Sequence, residues 1–227
     1  MFLTKDNQLK WGWIAAGAAV VGIAIYLMWG MVDEKIWIWA KHLNCNFWMI
    51  LGDVFSWKMW ILATSVILAV YFIKRVVKTI QEYKKERKQF KLVECLQENW
   101  QKTKRSNAFL IFCSVFCACV VVAVLKPLIA RLRPIMALTQ NVPEVVNRFV
   151  WEWNSMPSGH TTVSFAGLVM IGMLAPRFKP MTWTLAILIG LSRVIVGHHY
   201  ATDVILGAFI GMVIADVVKW WLLRKSK

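Results

Sequence analysis

Long apolar runs separated by short polar joints dominate the chain. The first occupies residues 11–32, with Trp11, Trp13 and Trp29 near its ends. About 20 apolar residues cross a bilayer as a helix, and Trp favours the interface. The apolar part of a cleaved leader is shorter, about 7–15 residues, so this run predicts a retained span. Further runs lie at about 57–77, 108–126, 160–175, 181–197 and 203–223. The prediction is an all-α protein, a six-transmembrane-helix bundle forming one domain over 1–227. The last three runs are short and closely spaced, which suits a compact set of hairpins.

Two joints carry patterns of their own. Residues 33–51 place Ile36, Ala40, Leu43, Phe47 and Ile50 at helical spacing, with Asp33, Glu34, Lys41, His42, Asn44 and Asn46 between them. This predicts an amphipathic interfacial helix after the first span, and fits equally a loop folded onto the bundle. Residues 78–107 read as a basic amphipathic stretch, or as a solvated charge run.

Composition strengthens the membrane reading. Of 227 residues, 59% are hydrophobic and 17% charged. Soluble domains run nearer 45–50% and about 25%. A soluble monomer could not hide that much apolar surface, and a disordered chain, a collagen-like fibre and a disulfide scaffold are excluded too.

The formal net charge of +15 invites a nucleic-acid partner. Its distribution argues for a membrane instead. With six spans both termini share a side. Nineteen of the 27 Lys and Arg residues then fall on that side, eleven of them between Lys74 and Arg105. Basic residues collect on cytoplasmic loops, so both termini are expected in the cytoplasm. No nucleic acid is needed. Cys45, Cys95, Cys113, Cys117 and Cys119 show no metal-ligand spacing with His and read as structural.

Of the eight basic residues on the outer side, four lie at span ends, Lys126, Arg131, Arg133 and Arg193, where ionisable groups are costly and usually functional. Lys126 and Arg133 are seven apart. On one helix that is two turns, so both would project from one face, about 10 Å apart along the axis, before Pro134 ends the helix. Arg131 would point about 140° away and is left out. Next, Pro157-Ser158-Gly159-His160 opens the fourth span. Pro suits a first helical turn, free N–H groups at a helix start hold phosphate, and Gly159 admits an anion closely. Third come Ser192-Arg193, His199 and Asp203. Arg193 can grip phosphate through two parallel N–H bonds. A carboxylate four residues beyond His199 could fix its tautomer and leave the other ring nitrogen as nucleophile.

Together, Lys126-x6-Arg133-Pro134, Pro157-Ser158-Gly159-His160 and Ser192-Arg193-x5-His199-x3-Asp203 resemble the three-part signature of the type 2 phosphatidic acid phosphatase family. All three parts match, in order, over residues 126–203. The resemblance implies catalytic roles for His199 as nucleophile, Asp203 as its orienting partner and His160 as proton donor to the leaving oxygen. It implies phosphoryl binding by Lys126, Arg133, Ser158, Gly159 and Arg193. Three cations would neutralise the charge, so no metal and no cofactor are expected. His198 is expected to be structural or headgroup-facing. Ala201 stands where the family often has Pro, which should loosen that turn.

The implied substrate is a lipid phosphate at the periplasmic face of a bacterial inner membrane. Lipid A 1-phosphate is preferred, because residues 156–203 resemble enzymes acting on it. Undecaprenyl phosphate or diphosphate, phosphatidylglycerol phosphate and phosphatidic acid are the alternatives. Trp151 and Trp153 are expected at the interface, with segment 33–60 and the Arg148 loop as candidate selectors. A lipid phosphotransferase would use the same site. A soluble vanadium haloperoxidase is disfavoured by six apolar runs, and a transporter by charges at span ends rather than mid-membrane.

Overall fold

The structure is a computed structural model and describes residues 1–4, 6–86, 91–137, 149–150 and 152–224. These are helical throughout apart from turns and two isolated bridges. The helices are α1 (Trp11–Met28), α2 (Met31–Ala40), α3 (Asn46–Val54), α4 (Trp57–Lys85), α5 (Leu92–Thr103), α6 (Asn107–Ile129), α7 (Pro134–Ala137), α8 (Gly159–Leu174), α9 (Lys179–Ile195) and α10 (Ala201–Leu223). Among the described residues five helical segments, α1, α4, α6, α9 with its preceding turn, and α10, are long and apolar enough to cross a membrane. The fourth predicted span, α8, has 16 residues and is shorter than those. The chain is a multi-pass, all-helical membrane protein.

Helix α8 is the axis of the bundle, packed against α6, α9 and α10. Its Phe165, Leu168, Val169 and Met170 form the core with Leu110 of α6, Ala186 and Ile189 of α9, and Ala215 and Val218 of α10. Small residues allow the close approach that substitutes for a hydrophobic driving force between helices in lipid. A Cβ on Gly211 of α10 would lie 2.5 Å from the Thr162 carbonyl oxygen of α8. Buried polar side chains tie the helices: Ser114 Oγ donates to the Ala166 carbonyl (2.9 Å), and Trp60 Nε1 to Ser164 Oγ (2.9 Å).

Three local expectations are corrected. The first apolar run stops being helical at Met28, because Gly30 turns the chain at φ 84°. The predicted interfacial helix over 33–51 is two helices, α2 and α3, joined by a 3-10 turn at Lys41–Leu43 and an extended Asn44. Only part of the expected apolar face turns inward. Asp33, Trp37 and Ala40 are buried, while Leu43, Phe47 and Ile50 are exposed. The reason is that donors for the Asp33 carboxylate exist inside, described below. Finally, α4 runs on to Lys85, and α5 follows with Thr79 and Asn99 bonded between them (3.2 Å).

Candidate functional site

The ends of α6 and α9 and the starts of α8 and α10 lie at one end of the bundle, with α2 and α3 laid against them. That end holds every candidate side chain.

The last of the three motifs is built by a helix stop. Gly197, at φ 81°, turns the chain after α9, and the Arg193 carbonyl accepts both His198 N–H and His199 N–H (3.1 Å each). The five-residue spacing between Arg193 and His199 thus closes a C-terminal cap of the kind glycine permits. Tyr200 then caps α10, and its N–H donates to Asp203 Oδ2 (2.8 Å). His199 Nδ1 lies 3.6 Å from the same oxygen, longer than a hydrogen bond. Nδ1 therefore faces the carboxylate, which leaves Nε2 as the candidate nucleophile.

The second motif starts α8. Ser158 is the N-cap and Gly159 the first helical residue, so Pro157 lies just outside the helix rather than in its first turn. Ser158 N–H donates to the Asp203 carbonyl (3.1 Å), and Thr161 Oγ1 donates to Ser158 Oγ (2.9 Å). The first N–H groups of α8 have no intrahelical acceptor, as at any helix start, and offer an anion cradle. His160 lies on this first turn, within electrostatic reach of Arg193, His199, His198 and Arg133.

The first motif is assembled differently from the helical expectation. Pro127 occurs in the last turn of α6, and Ala130, at φ 50°, ends the helix. Lys126 and Arg133 therefore do not share a helical face. Segment 131–133 instead runs antiparallel to 153–155: Arg133 N–H donates to the Trp153 carbonyl (3.2 Å) and Ser155 N–H to the Arg131 carbonyl (2.7 Å). Pro134 opens α7 rather than closing a helix, and Ile135 N–H reaches the Gly197 carbonyl (3.3 Å). Lys126, 1% exposed, donates to the carbonyls of Asn154 and Ser155. The turn leaves Arg133 close enough for its charge to act on Lys126.

Arg193 is 2% exposed. Its Nε donates to Ser192 Oγ (3.1 Å) and its Nη2 to the Trp48 carbonyl (3.2 Å). Gly52 of α3 lies directly against the guanidinium: a Cβ there would fall 1.5 Å from Nη2. Asp53 acts electrostatically on the same guanidinium.

Burial holds the His199 imidazole well below 6.5, and the charges of Lys126, Arg133, His198 and Arg193 push the same way. The ring is neutral at neutral pH, the form a nucleophile needs. Burial, then Arg193 and Arg133, lowers His198 to about 4 against the opposing charge of Asp53.

Several participants were not predicted. Arg131, set aside on a helical angle that does not apply beyond Ala130, bonds Asp203 Oδ1 through Nη1 (2.8 Å) and Asp33 Oδ2 through Nη2 (2.7 Å). Its guanidinium is stacked 4.1 Å from both the Trp29 and Tyr200 ring centroids. The signal for Asp33 was present in the sequence, as an acidic group at the end of an apolar run. Trp48 contributes through a carbonyl and Gly52 through its lack of a side chain, which a residue pattern does not reveal. An apolar cavity of about 290 Å³, lined by Trp57, Cys119, Val120, Val122, Ala123, Gly159 and Val163, abuts the start of α8. Among the described residues no cluster of His, Cys, Asp or Glu could hold a metal ion. Trp151 and Arg148 lie outside the described residues.

Residues 107–227, more than half of the chain, match the family model of the PAP2 superfamily. A lipid A 1-phosphatase of Porphyromonas gingivalis is 34% identical over 71 residues, 30% of this chain and 16% of the relative. One from Rhizobium etli is 41% identical over 59 residues, 26% of this chain and 25% of the relative. The matched stretch is thus a quarter or less of these relatives' length. Among solved structures, a transmembrane PAP2 type phosphatidylglycerolphosphate phosphatase from Bacillus subtilis aligns with TM-score 0.62 at 18% identity, over 94% of this chain and 98% of the other. Aquifex aeolicus LpxE aligns with TM-score 0.53 at 20% identity, over 81% and 92%. These two likenesses concern the fold.

Proposed function

The chain belongs to the PAP2 superfamily, and from that premise we propose that it is a lipid phosphatase working through a phosphohistidine, with lipid A 1-phosphate as the preferred substrate. The observation that carries the reading is the placement of His199: Nδ1 toward Asp203, the ring neutral, and Lys126, Arg133 and Arg193 within electrostatic reach.

The steps follow from this placement. The phosphoryl group lies at the start of α8, held by Lys126, Arg133, Arg193, Ser158 and the N–H of Gly159. His199 Nε2 attacks phosphorus and forms the N–P bond as the P–O bond to the lipid breaks. His160 gives a proton to the departing oxygen. Asp203 stabilises the positive charge that develops on His199. Water then attacks the phosphohistidine, His160 accepts a proton from it, and the N–P bond breaks to release phosphate and free His199. Positioning and charge neutralisation supply the catalysis, as phosphoryl transfer requires.

A lipid substrate is supported by the apolar cavity beside Gly159, where a tail can lie while the headgroup phosphate occupies the cradle. The names of the curated relatives support lipid A among lipid phosphates. The outer, periplasmic placement of the site rests on the basic residues: α4 ends and α5 lies at the opposite end of the bundle, which the charge bias assigns to the cytoplasm. The whole of 1–227 acts as one domain in this reading.

The test is phosphate release from lipid A, undecaprenyl diphosphate, phosphatidylglycerol phosphate and phosphatidic acid by the purified protein, beside His199→Ala. Release from at least one lipid, abolished in a folded His199→Ala, is expected. Near wild-type turnover by that variant would sink the assignment. Adding a second lipid as acceptor separates hydrolysis from phosphotransfer.

A further inference from the structure

We infer that Asp33, on the helix that follows the first span, is a positioning residue for this chemistry, keeping one oxygen of Asp203 available to His199. The inference rests on the phosphohistidine reading above.

Asp33 and Asp203 share one guanidinium. All three side chains are buried, at 0% exposure for the carboxylates and 8% for Arg131. Arg131 gives Nη2 to Asp33 Oδ2, and Nη1 to Asp203 Oδ1 and to Thr202 Oγ1 (2.6 Å). Asp33 is itself anchored at the start of α10: Thr202 N–H donates to its Oδ1 (3.1 Å) and Thr202 Oγ1 to its Oδ2. A carboxylate is well placed at a helix N-terminus.

Facing a single carboxylate, a guanidinium prefers two parallel bonds, one to each oxygen. Here Asp33 claims Nη2, so Arg131 reaches only Oδ1 of Asp203. Oδ2 is left for Tyr200 N–H and for His199 Nδ1. Trp29 and Tyr200 on either side stop the guanidinium from swinging out of this arrangement. The shared geometry also leaves the Asp33–Arg131–Asp203 group with one net negative charge. That charge favours the imidazolium character His199 gains at the transition state, in a site where low polarity makes it count. Removing the charge of Asp33 would give Arg131 wholly to Asp203 and draw Oδ2 away from His199. The proposed phosphate cradle contains none of these groups, so phosphate binding should not change.

The experiment is Asp33→Asn and Asp33→Glu, assayed on the fastest-hydrolysed lipid of the panel for kcat, KM and inhibition by inorganic phosphate. Asp33→Asn is expected to lower kcat about tenfold, the scale seen when an orienting partner is removed. KM and the phosphate inhibition constant stay within about twofold, the mark of an interaction that matters only in the transition state. Asp33→Glu recovers part of kcat. An unchanged kcat in Asp33→Asn overturns the inference. So does a fall in kcat matched by weaker phosphate inhibition, which would mean that the pocket itself had collapsed. If Asp33→Asn does not give monodisperse protein, Thr202→Val decides, because it removes one bond holding Asp33: a selective fall in kcat supports the inference and a wild-type kcat overturns it. His199→Ala is run alongside. Activity there overturns the phosphohistidine reading, whereas an inactive His199→Ala with a fully active Asp33→Asn overturns the role of Asp33 alone.

Discussion

Placing a methyl group on Gly52 tests whether α3 helps to shape the phosphate site. In Gly52→Ala the new carbon would lie 1.5 Å from Arg193 Nη2, 2.0 Å from Cζ and 2.5 Å from Nη1. No packing tolerates such distances, so something must move. The obstacle is the tip of a long side chain, whereas moving α3 would break its packing on α9, so the guanidinium moves. It then loses its bond to the Trp48 carbonyl, and its fork no longer points to where phosphate would sit. A hydrogen bond to a charged group contributes about 1.5–3 kcal/mol. At about 1.36 kcal/mol per tenfold, the loss in kcat/KM is between about tenfold and a hundredfold. Stability should fall by no more than the lost Trp48 bond contributes, about 1.5–3 kcal/mol, because the displacement is absorbed by one flexible side chain. The assay is phosphate release across substrate concentrations, with the thermal midpoint measured on the same preparation. Wild-type kcat/KM in folded Gly52→Ala would refute the reasoning, since it would mean that Arg193 need not lie where it does.

Other expectations follow from the same geometry. Activity should survive EDTA, since the proposed mechanism neutralises the phosphate charge with Lys126, Arg133 and Arg193; loss in EDTA that a divalent ion restores would contradict this. Because burial and cationic neighbours hold His199 well below 6.5, the unfolded chain binds the extra proton first, and stability falls as pH drops below 6.5. The thermal midpoint should therefore drop between about pH 7 and 5 by less in His199→Gln than in the wild type; equal drops would contradict the assignment. Gly211→Ala presses a methyl to 2.5 Å from the Thr162 carbonyl and should destabilise by about 1–3 kcal/mol, read as a lower thermal midpoint. For topology, a membrane-impermeant thiol reagent should label exposed Cys45 from outside. Cys95 is fully buried and would stay silent on either side, so a cysteine introduced at exposed Glu98 is the proper inner reporter. Labelling of that cysteine and not of Cys45 would invert the orientation.

The linear chain carried the helices, because the need to satisfy every backbone group in lipid makes a long apolar run a helix whatever surrounds it. It carried the candidate chemistry as well, since costly groups such as Arg193, His199 and Lys126 stand out against an apolar background. The spacing of Arg193, His199 and Asp203 was local enough to read: one helix stop and one helix start bring them together. What needed three dimensions was everything made by chain reversal or by backbone. Arg131 was misjudged because a helical angle was carried past Ala130, where the left-handed turn ends α6. Asp33 was read as the wet side of an amphipathic helix, yet it is buried, because Arg131 and Thr202, 98 and 169 residues away, meet its oxygens. Gly52 acts through the absence of a side chain, and Trp48 through a carbonyl every residue has. Helix and side-chain type follow from local sequence; which charges share a partner depends on long-range contacts that no local pattern encodes.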